Sequence, residues 1–309
     1  MGILKGCWGE FKMNILSRIV ENIQDTLNKI GLLYRIYYRS KGDVSIVKKI
    51  EKAKKDGDPY NDTKKMQDLF GIRIVLYFSD DVKIVHQVLS SIFNERKEDS
   101  ETHDLQGESF KDTFKPVRYN VIYDIPAEYG FSISSVIADE NLQGMIDSTF
   151  EVQIRTTLSE GWYEVEHDLR YKNKDDWRSH DEEWRQLNGV LASLETNDWA
   201  MIQIFNSLAY KHYRNRNWRA MLNLKLRIRV DSKKELSPKI IELFNKDNDL
   251  GKKFFKSNRE KIIMKMNECG FYYPLTLDNI VYFINIISES PNEELLAMTP
   301  SLMKEEMNQ

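Results

Sequence analysis

Phe11, Ile15, Ile19, Ile23, Leu27 and Ile30 recur at the spacing of one helix face, and Gly31 follows where a helix commonly ends. A second helix is predicted from Asp43, carrying Ser45, Lys48, Lys49 and Lys52, and ending before the turn residues Asp56-Gly57-Asp58-Pro59. The period then falls to two. Ile72, Ile74, Leu76 and Phe78 predict a strand over 71–78, followed by a helix over 80–95 built on Val82, Val85, Val88, Leu89 and Ile92. The polar stretch 97–113 has no period and reads as a loop. Strands are predicted at 117–125, 131–137 and 148–155, the last running into a helix over 157–170. This order describes an α+β fold, a mixed sheet flanked by helices.

After Asn173 the β character fades, and 182–223, rich in Leu, Trp, Met and Ala, reads as two long helices. A break at Asp231–Pro238 precedes a mainly helical region up to Ser290. The expected division is 1–173 for the α+β domain with its N-terminal helix, 174–230 for a helical extension and 231–309 for a C-terminal segment.

With 41% hydrophobic and 30% charged residues, the 309-residue chain falls in the soluble globular range. No apolar run approaches a membrane span, the first residues lack the core of a signal peptide, and no myristoylation motif follows Gly2. Cys7 and Cys269 have no partners at metal-ligand spacing, so neither a disulfide framework nor a zinc finger is expected, and the expected compartment is a reducing cytoplasm. Net charge is −3, but its distribution is uneven. Arg35–Lys65 holds ten Lys/Arg against five Asp/Glu, and Lys211–Arg229 holds seven Lys/Arg and no acid. Both segments suit phosphates, whether of a nucleotide or of a nucleic-acid backbone.

Asp68, in DLFGIRI, and Glu151, in FEVQIRT, each place a carboxylate at the mouth of a predicted strand, with Glu151, Gln153 and Arg155 on one face. Either acid alone reads as a strand-end or capping residue. Two acids beside a concentration of cations form the pattern that holds Mg²⁺ on a polyphosphate. On a helix, Ser45, Lys49 and Lys52 line one face, while Arg39 and Lys41 precede its anion-favouring N-terminus. No GxxxxGK[ST] loop occurs, so the phosphate cradle is not of the P-loop kind.

Arg39/Lys41/Ser45/Lys49, Asp68–Arg73, Glu151–Thr156 and Glu166-His167…Tyr171-Lys172 stand in the order and approximate spacing of the RelA/SpoT synthetase domain, which residues 30–172 resemble. The resemblance implies a nucleotidyltransferase-like fold and transfer of the β,γ-pyrophosphate of ATP to a ribose 3′-hydroxyl. It implies that Arg39 and Arg73 sandwich adenine, that Lys41, Ser45, Lys49 and Lys52 meet the phosphates, and that Asp68 and Glu151 hold Mg²⁺. Glu151 is also the implied base, and His167 takes a supporting place near the acceptor, although a buried, hydrogen-bonded histidine is the favoured reading of that residue taken singly.

The acceptor side departs from the family's K-P-x-G-Y-R-S loop. Lys115-Pro116-Val117-Arg118-Tyr119-Asn120 keeps an aromatic at Tyr119 but has Arg118 for glycine and Asn120 for arginine. Arg118, Tyr119, Gln153, Arg155 and His167 are the expected acceptor-binding set. The altered loop leans toward the branch of toxic small alarmone synthetases that modifies the 3′ end of tRNA, a translation-inhibiting role suited to toxin–antitoxin systems or phage defence. GDP or GTP as acceptor, giving (p)ppGpp, is the rival reading, and an inactive RNA-binding or regulatory module is a third. His103-Asp104 is a lone pair without the further ligands of the family's hydrolase half. Lys211–Arg219 interleaves aromatics with cations as single-strand binders do. The apolar cluster of Tyr272, Tyr273, Leu275, Leu277, Ile280, Val281, Phe283 and Ile284 would suit a regulatory or antitoxin partner.

Overall fold

The computed structural model of the chain describes residues 4–61, 63–102, 119–135, 137, 139–231 and 233–307. Two compact units emerge, Met1–Gln24 with Tyr34–Thr196, and Asp25–Leu33 with Asn197–Gln309.

The first unit is built on a five-stranded sheet of β1 (Tyr34–Ser40), β2 (Phe70–Leu76), β3 (Glu101–Thr102), β4 (Tyr119–Asp124) and β5 (Thr149–Thr156), in the order β1-β2-β5-β4-β3. The central pair β2–β5 is parallel and the other pairs are antiparallel, so the sheet is mixed as expected. Alternation divides it into two chemically distinct faces. Ile72, Ile74, Val121, Tyr123, Phe150, Val152 and Ile154 line one and are almost fully buried. Each such side chain contributes roughly 1.5–3 kcal/mol by leaving water. Helix α1 (Leu4–Lys29) ends at Gly31, whose φ of +72° supplies the left-handed turn its sequence position called for. α2 (Asp43–Lys55) and α3 (Asp81–Ile92) fall within the expected helices, and α3 packs on β5.

Local features of the first unit differ from the sequence expectation. β1 is an additional strand: its alternation Tyr34, Ile36 against Arg35, Tyr37 is masked by aromatics on both faces and by an exposed edge. The described residues of the span 131–137 do not form a strand. Gly130, at φ +65°, redirects the chain, and Ile133–Ser135 makes a 3₁₀ turn with Phe131 set edge-on against Phe70. The helix after β5 is α5 (Thr157–Val165), which continues through a π-helical turn, Glu166–Tyr171. A four-residue helix, α4 (Glu140–Gln143), precedes β5. Of the polar stretch 97–113, expected to be a loop, Glu101–Thr102 pairs with β4 as the short edge strand β3, and residues 103–113 lie outside the described residues.

Of the two long helices expected over 182–223, one forms, α6 (Asp181–Arg214, 34 residues), because its pattern runs on without a break to Arg214, whereas α7 (Trp218–Leu226) has only nine residues. In the second unit, α8 (Pro238–Lys246), α9 (Asn248–Lys256), α10 (Arg259–Glu268), α11 (Leu277–Ile286), α12 (Glu293–Met298) and α13 (Ser301–Met307) complete a helical array. Trp218 is buried there with its Nε1 donating to Asn245 Oδ1 at 2.8 Å, and Gly251 leaves the space its ring occupies. Among the described residues no helix is long and apolar enough to cross a membrane.

Candidate active site

The second face of the sheet carries the chemistry. Register places Arg39 opposite Gly71, Gly71 opposite Glu151 and Glu151 opposite Ile122, forming one row across four strands. The next row is Tyr37, Arg73, Gln153 and Asn120. Gly71 keeps the floor of the first row low: a β-carbon there would meet the Arg39 side chain at 4.0 Å. Arg39 and Arg73 stand at diagonal positions across β1 and β2.

Asp68 lies just before β2 and collects the lysines. Its Oδ2 accepts from Lys41 Nζ at 2.6 Å and from Lys49 Nζ at 2.7 Å. The Lys41 backbone N–H donates to Leu69 O at 2.8 Å, which ties the connector before α2 to the start of β2. Burial opposes ionisation of Asp68, yet Lys49 and Lys41 outweigh it and hold the carboxyl below its ordinary value. Glu151 moves the other way, pushed up first by burial and then by the charge of Asp68. The two carboxylates thus feel each other and differ in proton affinity, the separation expected of a permanent anion beside a proton acceptor.

α2 starts at Gly42 without a side-chain cap, and the buried Lys12 binds its first-turn Asp43 at 2.8 Å. Ser45 and Lys52 are exposed on the same helix as Lys49. The structure therefore brings Arg39, Lys41, Lys49, Asp68, Gly71, Arg73 and Glu151 to one face, with Ser45 and Lys52 on the adjoining helix. A cleft of about 700 Å³ runs from Lys49, Asp68 and Glu151 past Ile122 to Lys64, Lys65 and Arg96. Arg96, not singled out by the sequence, bridges Asp124 (2.7 Å) and Asp147 and braces the cleft wall.

Asp68 Oδ1 is buried and accepts no hydrogen bond among the described residues, an acceptor suited to a cation. Among the described residues no three acidic, histidine or cysteine side chains gather as a metal cage. Two carboxylates with the remaining positions left to phosphate oxygens and water is the donor set Mg²⁺ takes in phosphoryl-transfer sites, so Asp68 and Glu151 fit it.

The expected acceptor residues fare differently. Gln153 is on the active face, its Oε1 accepting from Arg73 Nε at 3.1 Å. Tyr119 is not. It pairs with Ile154, is 5% exposed, and turns its ring against His86 on the apolar side, so it cannot stack a base beside Glu151. Arg155 is buried, donating to the carbonyls of Tyr119 and Ile154 and to Asn120 Oδ1 at 2.6 Å, with its guanidinium 4.4 Å from the Tyr163 ring. It ties β4 to β5. His167 is exposed on the π-turn, bonded to Asp168 at 2.9 Å and stacked on Tyr171. Its neighbour Glu166 is the buried member, paired with Arg170, which lies 3.7 Å over Trp184. Arg118 and His103-Asp104 lie outside the described residues.

Residues 38–176, a little under half of the chain, match the family described as the region found in RelA / SpoT proteins. Among characterised proteins, the GTP pyrophosphokinase YjbM of Bacillus subtilis (strain 168) is 27% identical over 125 residues, 40% of this chain and 51% of that protein. The chain thus spans about half the length of this relative. Among solved structures, the small alarmone synthetase 1 of Bacillus subtilis superposes with a TM-score of 0.42 at 23% identity, covering 62% of this chain and 93% of that one. A GTP pyrophosphokinase family protein of Streptococcus pneumoniae gives 0.43 at 21%, covering 66% and 94%.

Proposed function

We propose that the first unit is a Mg²⁺-dependent pyrophosphokinase that moves the β,γ-pyrophosphate of ATP onto a ribose 3′-hydroxyl. The observation that carries this is the row Arg39–Gly71–Glu151 with Asp68, Lys41 and Lys49 beside it. One planar base fits between Arg39 and Arg73, and the triphosphate then extends toward the lysines. Lys41 and Lys49 exchange Asp68 for phosphate oxygens as the donor binds, which frees Asp68 for the cation. Bound Mg²⁺ would neutralise charge on the transferred group. Glu151, with its raised proton affinity, takes the proton of the attacking hydroxyl.

The acceptor reading is the 3′ end of tRNA, with the protein acting as a translation-inhibiting toxin. It draws on the altered loop Lys115–Asn120 and on the exposed Lys211, Arg214 and Arg216 beside Tyr210 in the second unit. The relative named GTP pyrophosphokinase favours a second reading, GDP or GTP as acceptor. Incubation with γ-³²P-ATP and either tRNA or GDP separates them: label on tRNA supports the first, label on GDP the second, and label on neither removes the enzymatic reading. An antitoxin or regulatory partner at the C-terminal region and a cytoplasmic location follow from the toxin reading.

A further inference from the structure

Arg73 is gripped by more partners than a stacking arginine requires. Besides the bond to Gln153, its Nη1 donates to Glu160 Oε1 at 2.8 Å and to Glu164 Oε1. Guanidinium N–H bonds lie in the plane of the group, so three in-plane partners fix that plane and make no use of its faces. The two glutamates stand one turn apart on α5, a like-charged i, i+4 pair that weakens a helix unless a cation is shared between them. α5 grows directly out of β5 through a capping box of Thr156 and Ser159, so the grip is tied to the strand that carries Glu151.

From this geometry we infer that Glu160 and Glu164 are positioning residues that set the plane of Arg73 for the flat base of the donor nucleotide. This rests on the donor reading above. The grip also orients the ligand. Two carboxylates against one guanidinium disfavour phosphates at this end of the face, whereas Lys41, Lys49 and Lys52 attract them at the other. A nucleotide therefore enters with its base toward Arg73.

The test uses the full chain and two probes: Mg-ATP, and Mg-tripolyphosphate, which has the phosphates without the base. In the Glu160→Ala/Glu164→Ala variant, calorimetry should find ATP bound about tenfold more weakly, the scale of one guanidinium–ring contact. Tripolyphosphate should bind as well as before or better, and Gln at both positions, which still accepts from Arg73, should restore most of the ATP affinity. Equal weakening of both probes, or no change in either, would overturn the inference. If the double variant fails to fold, Glu164→Ala alone carries the comparison, since that carboxylate is 52% exposed. Failure of the parent protein to bind either probe would remove the donor reading itself.

Discussion

Lys49 Nζ lies 2.7 Å from the same Asp68 oxygen that Lys41 reaches at 2.6 Å, while the other oxygen of that carboxylate is buried and unbonded among the described residues. In the proposed donor site, this side chain would release both lysines to a polyphosphate and offer its other oxygen to a metal. Asp68→Asn and Glu151→Gln should each abolish transfer with the fold retained, because each removes charge from the site and not a core contact. The expected loss is several powers of ten, about 4 kcal/mol or more in the barrier. Label transfer assayed beside circular dichroism checks it, and substantial activity in Glu151→Gln would remove Glu151 as the base.

The two acids should also titrate apart in the metal-free protein. Burial first and Asp68 second raise Glu151 above 4.5, so the native state holds its proton more tightly than the unfolded chain. Between 4.5 and the raised native value, this group's contribution to stability falls as pH rises. Asp68, held below 3.8 by Lys49 and Lys41 against the opposing effect of burial, contributes stability above that value and loses it as pH falls through its native pKa. Carboxyl-carbon NMR titration should place Glu151 above 4.5, and Asp68→Asn should move it down by removing a neighbouring charge. A Glu151 value indifferent to Asp68→Asn would mean that the carboxylates do not interact.

Arg39→Ala should weaken donor use mainly through binding, since a stacking contact exists before the transition state as well as in it. KM for ATP should rise roughly tenfold with a smaller change in kcat. A fall in kcat at unchanged KM would assign Arg39 to the chemical step instead.

How far the sequence discloses the site depends on face parity. Glu151, Gln153 and Arg155 alternate within one strand, so their shared face is readable without knowing the partners. Which face Tyr119 occupies is not readable, because that depends on its pairing with Ile154, a relation between segments 35 positions apart. The loop motif brought Tyr119 to the acceptor, whereas the register carries it into the core. Arg155 has the right parity but spends its donors on backbone carbonyls. β1 escaped notice because an exposed edge strand needs no clean alternation. The pair Glu160 and Glu164 was legible as an i, i+4 repeat just after a Thr156 cap, but only contact with Arg73 gives it meaning.

Tyr119 accordingly yields a stability prediction. Tyr119→Phe should leave transfer near the parent, since the ring packing against His86 is kept and the ring lies off the active face. Tyr119→Ala should cost about 3–5 kcal/mol by opening a cavity in the buried face. The labelling assay checks the first and denaturant unfolding the second. Loss of transfer in Tyr119→Phe, with the unfolding midpoint unchanged, would return this residue to the acceptor site.

The last expectation separates the acceptors. Lys211, Arg214 and Arg216 are exposed, and no acid lies within Lys211–Arg229. If this segment guides a polyanion, each lost phosphate contact should lower the salt slope of binding by about one. Arg214→Glu and Arg216→Glu should then reduce tRNA labelling and flatten its salt dependence while ATP binding is unchanged, because neither residue belongs to the donor site. Fluorescence anisotropy of labelled tRNA over a salt series, run beside the labelling assay, provides the measurement. The opposite outcome is equally clear. Labelling of GDP at the parent rate in both variants, with no tRNA labelling in the parent protein, would overturn the tRNA reading and leave a guanine nucleotide as the acceptor.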